Sequence, residues 1–269
     1  MLMAILNNKA GRIENAQGDV VSWREIFKAY EDLLTSTFFE RFSYLDQMSQ
    51  ITILAKCFDI KDKLYLSRTL GELEKIEYWP RFTIINDQQS LVEPDVILCF
   101  KKVNILIEVK PPSGGEQYFE QWSREVKGLL NSNFKHKPLY FLALGGVSKG
   151  EVNQQLERLE NDFKVLKYAA AKNWHELVPM LKELFVTSEL REQRVVKDMI
   201  AALGLYNVHI QNFEWKDFTL ASFKPITLNH EYLLEKERLN IDSKLRLDNI
   251  SKASFQPLSL NSITKWKLN

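Results

Sequence analysis

The chain has few cysteines and lacks the common short motifs of nucleotide-binding and zinc-binding proteins. Cys57 and Cys99 are its two cysteines, and both lie in apolar runs, which predicts buried free thiols suited to a reducing cytosol. They form no CxxC pair and no Cys/His cluster with zinc spacing, which excludes a zinc finger. No P-loop, GxGxxG, GxSxG or HExxH occurs, which excludes the sites that those motifs build.

Neither charge nor hydrophobicity is present in excess. The formal net charge is +1, so no global basic excess marks the chain as a nucleic-acid binder, and any basic binding surface must be local. No apolar run approaches the roughly 18–20 residues that a membrane span needs. The N-terminus lacks the basic start and cleavage site of a secretory signal. We therefore expect a cytoplasmic protein that does not associate with membranes.

Hydrophobic periodicity predicts a chain that mixes helices with a few short strands. Apolar residues at helical spacing predict helices at 21–45, 47–58, 63–75, 116–131, 150–170, 174–186 and 188–203. Aromatic and β-branched runs predict strands at 77–85, 95–100, 104–110 and 138–144, with a turn at 86–90. From about residue 207 the periodicity fades. The polar tail is either a helix with an extended arm that packs on the body or a partner, or a solvated extension.

Three charged side chains stand out in EPDVILCFKKVNILIEVKPP, residues 93–112. Glu108 and Lys110 are two residues apart in a strand and therefore share a face. A hairpin turn centred between residues 101 and 102 places Asp95 opposite Glu108, with β-carbons roughly 5 Å apart, whereas Glu93 faces away. Two carboxylates that close repel each other unless a cation lies between them. The hairpin predicts either an oxygen-rich magnesium or manganese site or ordinary strand-end charges.

These parts are sufficient for the hydrolysis of a phosphodiester. A divalent cation lowers the pKa of a bound water and polarises the phosphorus. The ammonium of Lys110 could orient that water and stabilise the negative charge that develops in the reaction.

A glutamate upstream and a glutamine downstream lie where they could join this group. Glu31 lies on the apolar stripe that Phe27, Leu34 and Phe38 form on the first predicted helix. A carboxylate on a core-facing stripe is costly unless it is paired or bound to a cation. The alternative is a glutamate at the edge of the stripe that reaches water. Gln121, in the helix after the hairpin, either points back toward the site or is an ordinary surface glutamine.

Taken in order, four short segments resemble the PD-(D/E)xK nuclease superfamily, whose fold is also called restriction-endonuclease-like. They are EDLLTSTFF, EPD, ILIEVK and EQW. The resemblance covers residues 21–144, where the predicted helices and strands match the family's αβββαβ core. It implies an α/β restriction-endonuclease-like domain at 1–186, with a central mixed sheet flanked by helices and with additional helices. A helical C-terminal extension and tail would follow at 187–269.

The resemblance also implies roles for individual residues. The catalytic residues that it implies are Glu31, Asp95, Glu108, Lys110 and Gln121. The ligands that it implies for Mg²⁺ or Mn²⁺ are Glu31, Asp95, Glu108 and the main-chain carbonyl of Val109. Lys110 would position the water, and Gln121 would support the site or contact the phosphate backbone. Glu40 or Glu25 could take the place of Glu31, but neither lies as well on the apolar stripe.

The activity implied is that of a metal-dependent DNA endonuclease, acting as an effector in prokaryotic anti-phage defence. Alternatives are a catalytically silent nucleic-acid-binding or assembly subunit of the same fold, and an RNase or junction resolvase. Double-strand cleavage would need a homodimer or a partner subunit. Basic residues expected near the site are either backbone contacts of weak sequence specificity or a solvated edge, and they are Arg81, Lys101, Lys102, Arg124, Lys127, Lys135 and Lys137.

Overall fold

The computed structural model describes the part of the chain that holds the predicted sheet and its helices. The described residues are 2–7, 9–14, 18, 20–84, 90–112, 115–148 and 150–208. They belong to one compact unit, which spans residues 1–211. Most of the predicted turn at 86–90 and the predicted C-terminal arm beyond residue 208 lie outside the described residues.

The described part of the chain contains both helices and strands. In order, the elements are α1 (Leu2–Leu6), β1 (Arg12–Glu14), β2 (Val20–Ser22), α2 (Trp23–Ala29), α3 (Glu31–Ser43), α4 (Gln47–Cys57), α5 (Lys63–Leu70), β3 (Leu73–Tyr78), β4 (Phe82–Ile84), β5 (Ser90–Val92), β6 (Val96–Phe100), β7 (Asn104–Val109), α6 (Phe119–Leu130), β8 (Leu139–Leu144), α7 (Val152–Asp162), β9 (Leu166–Lys172), α8 (Trp174–Thr187) and α9 (Leu190–Leu205). No helix among the described residues is long and apolar enough to cross a membrane.

A mixed five-stranded sheet forms the centre, with strand order β3-β6-β7-β8-β9. Strands β3, β6 and β7 are antiparallel neighbours, whereas β7, β8 and β9 run parallel. The parallel pairs need crossover connections, which α6 and α7 supply. Short hairpins β1–β2 and β4–β5 form separate two-stranded sheets. This arrangement confirms the predicted mixed sheet with flanking helices.

The sheet separates two hydrophobic cores. On β7, the side chains of Ile105, Ile107 and Val109 enter the larger core with α2 to α5, α8 and α9. Leu106 faces the smaller core, which α6 and α7 cover. This alternation confirms the face assignment expected for β7. It also places Glu108 on the α6 side of the sheet.

Helix α9 packs in the larger core, although the predicted domain boundary after residue 186 puts it in the C-terminal extension. Its buried side chains are Val196, Met199, Ala202, Leu203 and Leu205. They follow three- and four-residue spacing, so they form one apolar face, and α9 packs with this face against α3 and α8. The residues up to 208 therefore share a core with the sheet.

The prediction of one long helix at 21–45 is wrong, because Tyr30 interrupts the helix. Its backbone there is extended, with φ −117° and ψ 113°. The hydroxyl of Tyr206 at the end of α9 donates to the carbonyls of Phe27 and, at 2.9 Å, of Tyr30. A tertiary contact thus satisfies carbonyls that a continuous helix would have satisfied within itself. As a result, Glu31 begins α3 instead of lying inside a helix.

Two other predictions are wrong at the sheet edges. Helix α5 ends at Leu70, because Gly71 takes φ +75°, and β3 begins four residues before the predicted strand. The helix predicted at 150–170 ends at Asp162, and Leu166–Lys172 forms the edge strand β9. Its three alanines favour a helix locally, but pairing with β8 supplies the hydrogen bonds of a parallel ladder. Both cysteines are free and buried, as predicted.

Candidate active site

The hairpin β6–β7 brings Asp95, Glu108 and Lys110 to one end of the central sheet. Val96 pairs with Ile107 in the antiparallel register. Asp95 precedes Val96 and Glu108 follows Ile107, so the two carboxylates lie opposite each other. This confirms the predicted register. Lys110 follows the last residue of β7 at the same end.

Asp95 is held by the main chain of the opposite strand. Its Oδ2 accepts a hydrogen bond of 2.7 Å from the N–H of Val109. The residue is 8% exposed. Burial and the charge of Glu108 raise the pKa of Asp95 to about 8, although the Val109 N–H and Lys110 favour the ionised form. A carboxyl in this position is costly to ionise without a cation beside it.

Glu108 is the most deeply buried of the predicted catalytic residues, at 2% exposed. Its Oε1 accepts hydrogen bonds from Lys110 Nζ and from Gln121 Nε2, both at 2.5 Å. Burial and the charge of Glu125 raise the pKa of Glu108 to about 8, against the opposing effect of Lys110. The contact with Gln121 shows that this glutamine turns toward the hairpin instead of lying on the open surface of α6.

Glu125 is a buried carboxylate of this cluster that was not predicted from the sequence. It lies one helical turn after Gln121, whose Nε2 donates to Glu125 Oε1 at 3.0 Å. Its Oε2 is buried and has no hydrogen-bond partner among the described residues. Burial raises the pKa of Glu125 to about 7. Its position between Trp122 and Leu129 on the apolar face of α6 is the signal that could have revealed it.

Glu31 lies near the cluster at the first turn of α3. Burial raises its pKa, and the charge of Lys110 opposes that rise. Its own charge contributes to the raised pKa of Asp95. The two alternatives to Glu31 make other contacts. Glu25 caps α2 through Ser22, and the exposed Glu40 accepts a hydrogen bond from the hydroxyl of Tyr44. Glu31 is thus the first-helix glutamate whose charge acts on this site.

Two hydrogen bonds hold the main chain of Lys110. Its N–H donates to the carbonyl of Leu144 at 2.8 Å, and its carbonyl accepts from Trp174 Nε1 at 2.9 Å. Gly145 packs so closely that an added β-carbon would lie 2.1 Å from the Lys110 carbonyl oxygen. The Lys110 side chain extends from this fixed main chain toward Glu108. Burial lowers the pKa of Lys110, but the charges of the nearby carboxylates outweigh burial and raise it overall.

Gln117 braces the neighbouring main chain, and no sequence signal pointed to it. Its Nε2 donates to the carbonyls of Glu108 and Gly145, at 3.3 and 3.1 Å. Its Oε1 accepts from Trp122 Nε1 at 2.7 Å. This amide therefore joins the ends of β7 and β8 to α6. The role predicted for the carbonyl of Val109 stays a prediction.

Most of the basic residues predicted to lie near the site are at the other end of the sheet. Lys101 and Lys102 occupy the β6–β7 turn, and Lys135 and Lys137 precede β8, which starts beside the first residue of β7. The turn of a hairpin and the open ends of its strands are separated by the full strand length. The prediction that these four lysines lie near the site is therefore wrong. Lys137 instead bonds to Glu74 and to a β6 carbonyl.

The donor set fits a hard divalent cation, although its arrangement is not that of a preformed metal site. No group of three or more His, Cys, Asp or Glu side chains in the described ranges is arranged to hold a metal ion. Four carboxylates nevertheless act on one another and on a single lysine, Lys110. They are those of Glu31, Asp95, Glu108 and Glu125. Buried oxygen ligands with excess negative charge suit Mg²⁺ or Mn²⁺.

Comparison with known proteins adds one relative. No family model matches the chain. Over 237 residues it is 28% identical to a Pasteurella multocida (strain Pm70) protein named "Uncharacterized protein PM0110". The match covers 84% of this chain and 87% of that protein. The similarity thus extends along most of both chains.

Proposed function

We propose that this protein hydrolyses phosphodiester bonds in DNA, using Mg²⁺ or Mn²⁺, as a PD-(D/E)xK nuclease. One observation carries the proposal: Asp95, Glu108, Lys110 and Gln121 converge at the open end of one hairpin, amid buried carboxylates that outnumber the nearby cations. An excess of buried negative charge is costly to fold. Such clusters of perturbed carboxyl pKa values are typical of functional sites.

The topology also supports a restriction-endonuclease-like fold. The path from α3 through β3, β6 and β7 to α6 and β8 follows the αβββαβ order, with α4 and α5 inserted after the first helix and the small β4–β5 hairpin between β3 and β6. The sheet changes from antiparallel to parallel at β7, which is the strand that carries Glu108. Fold similarity alone is a weak warrant for activity, so the proposal depends on the site.

The carboxylates of Asp95 and Glu108 would hold the cation, with Glu31 and the Val109 carbonyl as further ligands. A bound divalent cation supplies a water of lowered pKa and polarises the phosphoryl group. Asp95 is prepared for this task, because the Val109 N–H fixes its orientation.

Lys110 would contact the reacting groups, and Gln121 would orient Glu108. The Lys110 ammonium can donate to an attacking water or to a phosphate oxygen, since its tethered position beside Glu108 keeps it at the site. Gln121 spans Glu108 and Glu125 with one amide nitrogen and thereby fixes the orientation of Glu108. A correctly oriented ligand of this kind lowers the entropic cost of assembling the site.

A non-catalytic nucleic-acid-binding subunit of the same fold is the second candidate. The ion pair between Lys110 and Glu108 favours it, because this pair neutralises one buried carboxylate without a metal. The two candidates differ in what happens when the pair is broken. In a nuclease, loss of Lys110 removes activity. In a binding subunit there is no activity to lose.

Cleavage of plasmid DNA tests the proposal. Wild type, Asp95→Ala and Lys110→Ala are compared with MgCl₂, with MnCl₂ and with EDTA, and matched controls remove an exposed carboxylate and an exposed lysine, Glu157→Ala and Lys164→Ala. We expect cleavage by wild type and both controls with metal only, and a loss of at least about 100-fold in the two site variants. Equal activity in all variants would overturn the site. Activity in none of them, with thermal unfolding unchanged, would favour the binding subunit.

Substrate and biological role rest on the resemblance. A labelled RNA and a four-way DNA junction in the same assay separate a DNA endonuclease from an RNase or a junction resolvase. The role in prokaryotic defence and the need for a homodimer or partner subunit stay predictions.

A further inference from the structure

A cleft of about 500 Å³ opens beside the candidate active site on the face toward β4 and β5. Its lining residues are Asp32, Trp79, Arg81, Glu93 and Asp95. Glu93, which was predicted to face away from Asp95, therefore lines the same cleft. Asp95 belongs both to this cleft and to the acidic cluster. Any molecule in the cleft therefore lies next to the carboxylate at which a phosphodiester would react.

Trp79 forms one wall of the cleft in an unusual backbone conformation. Its φ is +48°, in the left-handed region that bulky residues rarely adopt and that tends to occur at functional sites. Its N–H donates to the carbonyl of Asp95 at 3.0 Å, which ties the wall to the site. The indole Nε1 is buried and has no hydrogen-bond partner within the described chain. Tertiary packing thus fixes an aromatic side chain beside Asp95.

Arg81 and Glu93 form an ion pair across the mouth of the cleft. Phe82 pairs with Val92 in the β4–β5 hairpin, so the two charged residues directly precede and follow a paired position. Their side chains are 77% and 43% exposed. An exposed pair of this kind exchanges partners readily, since solvent screens it. A guanidinium that leaves Glu93 has the geometry to bind a phosphate.

We propose that this cleft is the subsite for the nucleotide that flanks the reacting phosphodiester. The base would lie against the Trp79 indole, and Arg81 would exchange Glu93 for the flanking phosphate. An aromatic wall beside a basic side chain is the combination by which proteins bind single-stranded nucleic acid without sequence preference. This inference rests on the proposed nuclease function. It adds that the substrate strand is held unpaired next to Asp95.

Binding of a fluorescein-labelled oligo(dT) in EDTA, followed by anisotropy over a range of salt concentrations, tests the subsite without catalysis. Arg81→Ala should weaken binding and reduce the slope of log K against log salt by about 0.7, the value for one phosphate contact on a single strand. Glu93→Gln should tighten binding, because it frees Arg81 and removes a charge that repels phosphate. Changes in affinity of opposite sign in the two variants indicate that Arg81 binds the oligonucleotide. If the ion pair were only structural, loss of either partner would change the affinity in the same direction.

The aromatic wall is tested by Trp79→Leu against Trp79→Phe. Stacking predicts about ten-fold weaker binding for the leucine variant and near wild-type binding for phenylalanine, with thermal unfolding as the control for folding. Unchanged binding in Arg81→Ala and in Trp79→Leu, in a protein that still cleaves plasmid, would overturn the subsite and leave the nuclease proposal intact. If the wild type neither binds oligo(dT) nor cleaves, the proposed function itself fails. Tighter binding of oligo(rU) than of oligo(dT) would assign the subsite to RNA and overturn its deoxynucleotide form.

Discussion

The indole Nε1 of Trp174 donates to the main-chain carbonyl of Lys110 at 2.9 Å. This bond joins the first residue of α8 to the end of β7, across the sheet from the carboxylate cluster. Gly145 lies between them, with φ +83°. An added β-carbon there would lie 2.1 Å from the Lys110 carbonyl oxygen and 2.8 Å from Trp174 Nε1. The position of the lysine therefore depends on a residue without a side chain.

Gly145→Ala should destabilise the fold by about 2 kcal/mol or more, because the methyl group clashes with backbone and alanine disfavours positive φ. We also expect the loss of any cleavage activity, since Lys110 must shift. The measurement is urea unfolding followed by the plasmid assay. Gly150→Ala is the matched control, because its added β-carbon meets nothing within 4 Å. Equal stability of the two variants would show that the main chain near Lys110 tolerates displacement.

Gln121→Glu should destabilise the protein strongly at alkaline pH. The substitution replaces the amide that donates to Glu108 and Glu125 with a third carboxylate. We expect a loss of about 2–4 kcal/mol at pH 8 and a smaller loss at pH 5, where a protonated side chain can still donate. Thermal unfolding at the two pH values measures the difference. Gln154→Glu on the exposed side of α7 is the control, and a loss as large in the control would contradict the explanation.

Glu125→Gln should raise the Mg²⁺ concentration that the protein requires. If Glu125 supports a cation at this cluster, removal of its charge should weaken the binding of Mg²⁺ by about ten-fold, as for other residues that support metal ligands. The rise in unfolding temperature with added MgCl₂ measures binding independently of cleavage. Glu157→Gln serves as the control. The same Mg²⁺ dependence in variant and wild type would remove Glu125 from the site.

The stability of the metal-free protein should fall as the pH rises from about 4 to 8. The folded pKa of Asp95, about 8, lies above its ordinary value of 3.8. The folded state thus binds this proton more tightly than the unfolded chain, and the resulting stability is complete below pH 3.8 and is lost as the pH rises through 8. Asp95→Asn should keep the bond from Val109 and gain about 2 kcal/mol or more over wild type at pH 8.5. A constant difference between the two proteins from pH 4 to 8.5, seen in thermal unfolding, would contradict the raised pKa.

The hairpin was predictable because its information is local. The alternation of Leu106, Glu108 and Lys110 with apolar neighbours predicts their shared face, and the short turn predicts that Asp95 lies opposite Glu108. Both predictions follow from the two-residue period of a strand. Glu31 was found by its place on an apolar stripe, but the break at Tyr30 was not, because a hydroxyl from Tyr206 supports it.

Local information was insufficient where a distant segment decides the outcome. The alanines of β9 favour a helix in isolation, but pairing with β8 makes this segment a strand. The place of Glu125 on the apolar face of α6 indicates burial, but the sequence does not show that its neighbour there is Glu108. The sequence by itself determined the mixed class of fold, the hairpin and the charged residues at its open end, since these depend on neighbours in the chain. Only the tertiary structure decided that Gln121 and Glu125 join them, that four predicted lysines lie at the far end and that Trp79 and Arg81 line a cleft at Asp95. Such contacts arise between segments far apart in sequence, and no short pattern encodes them.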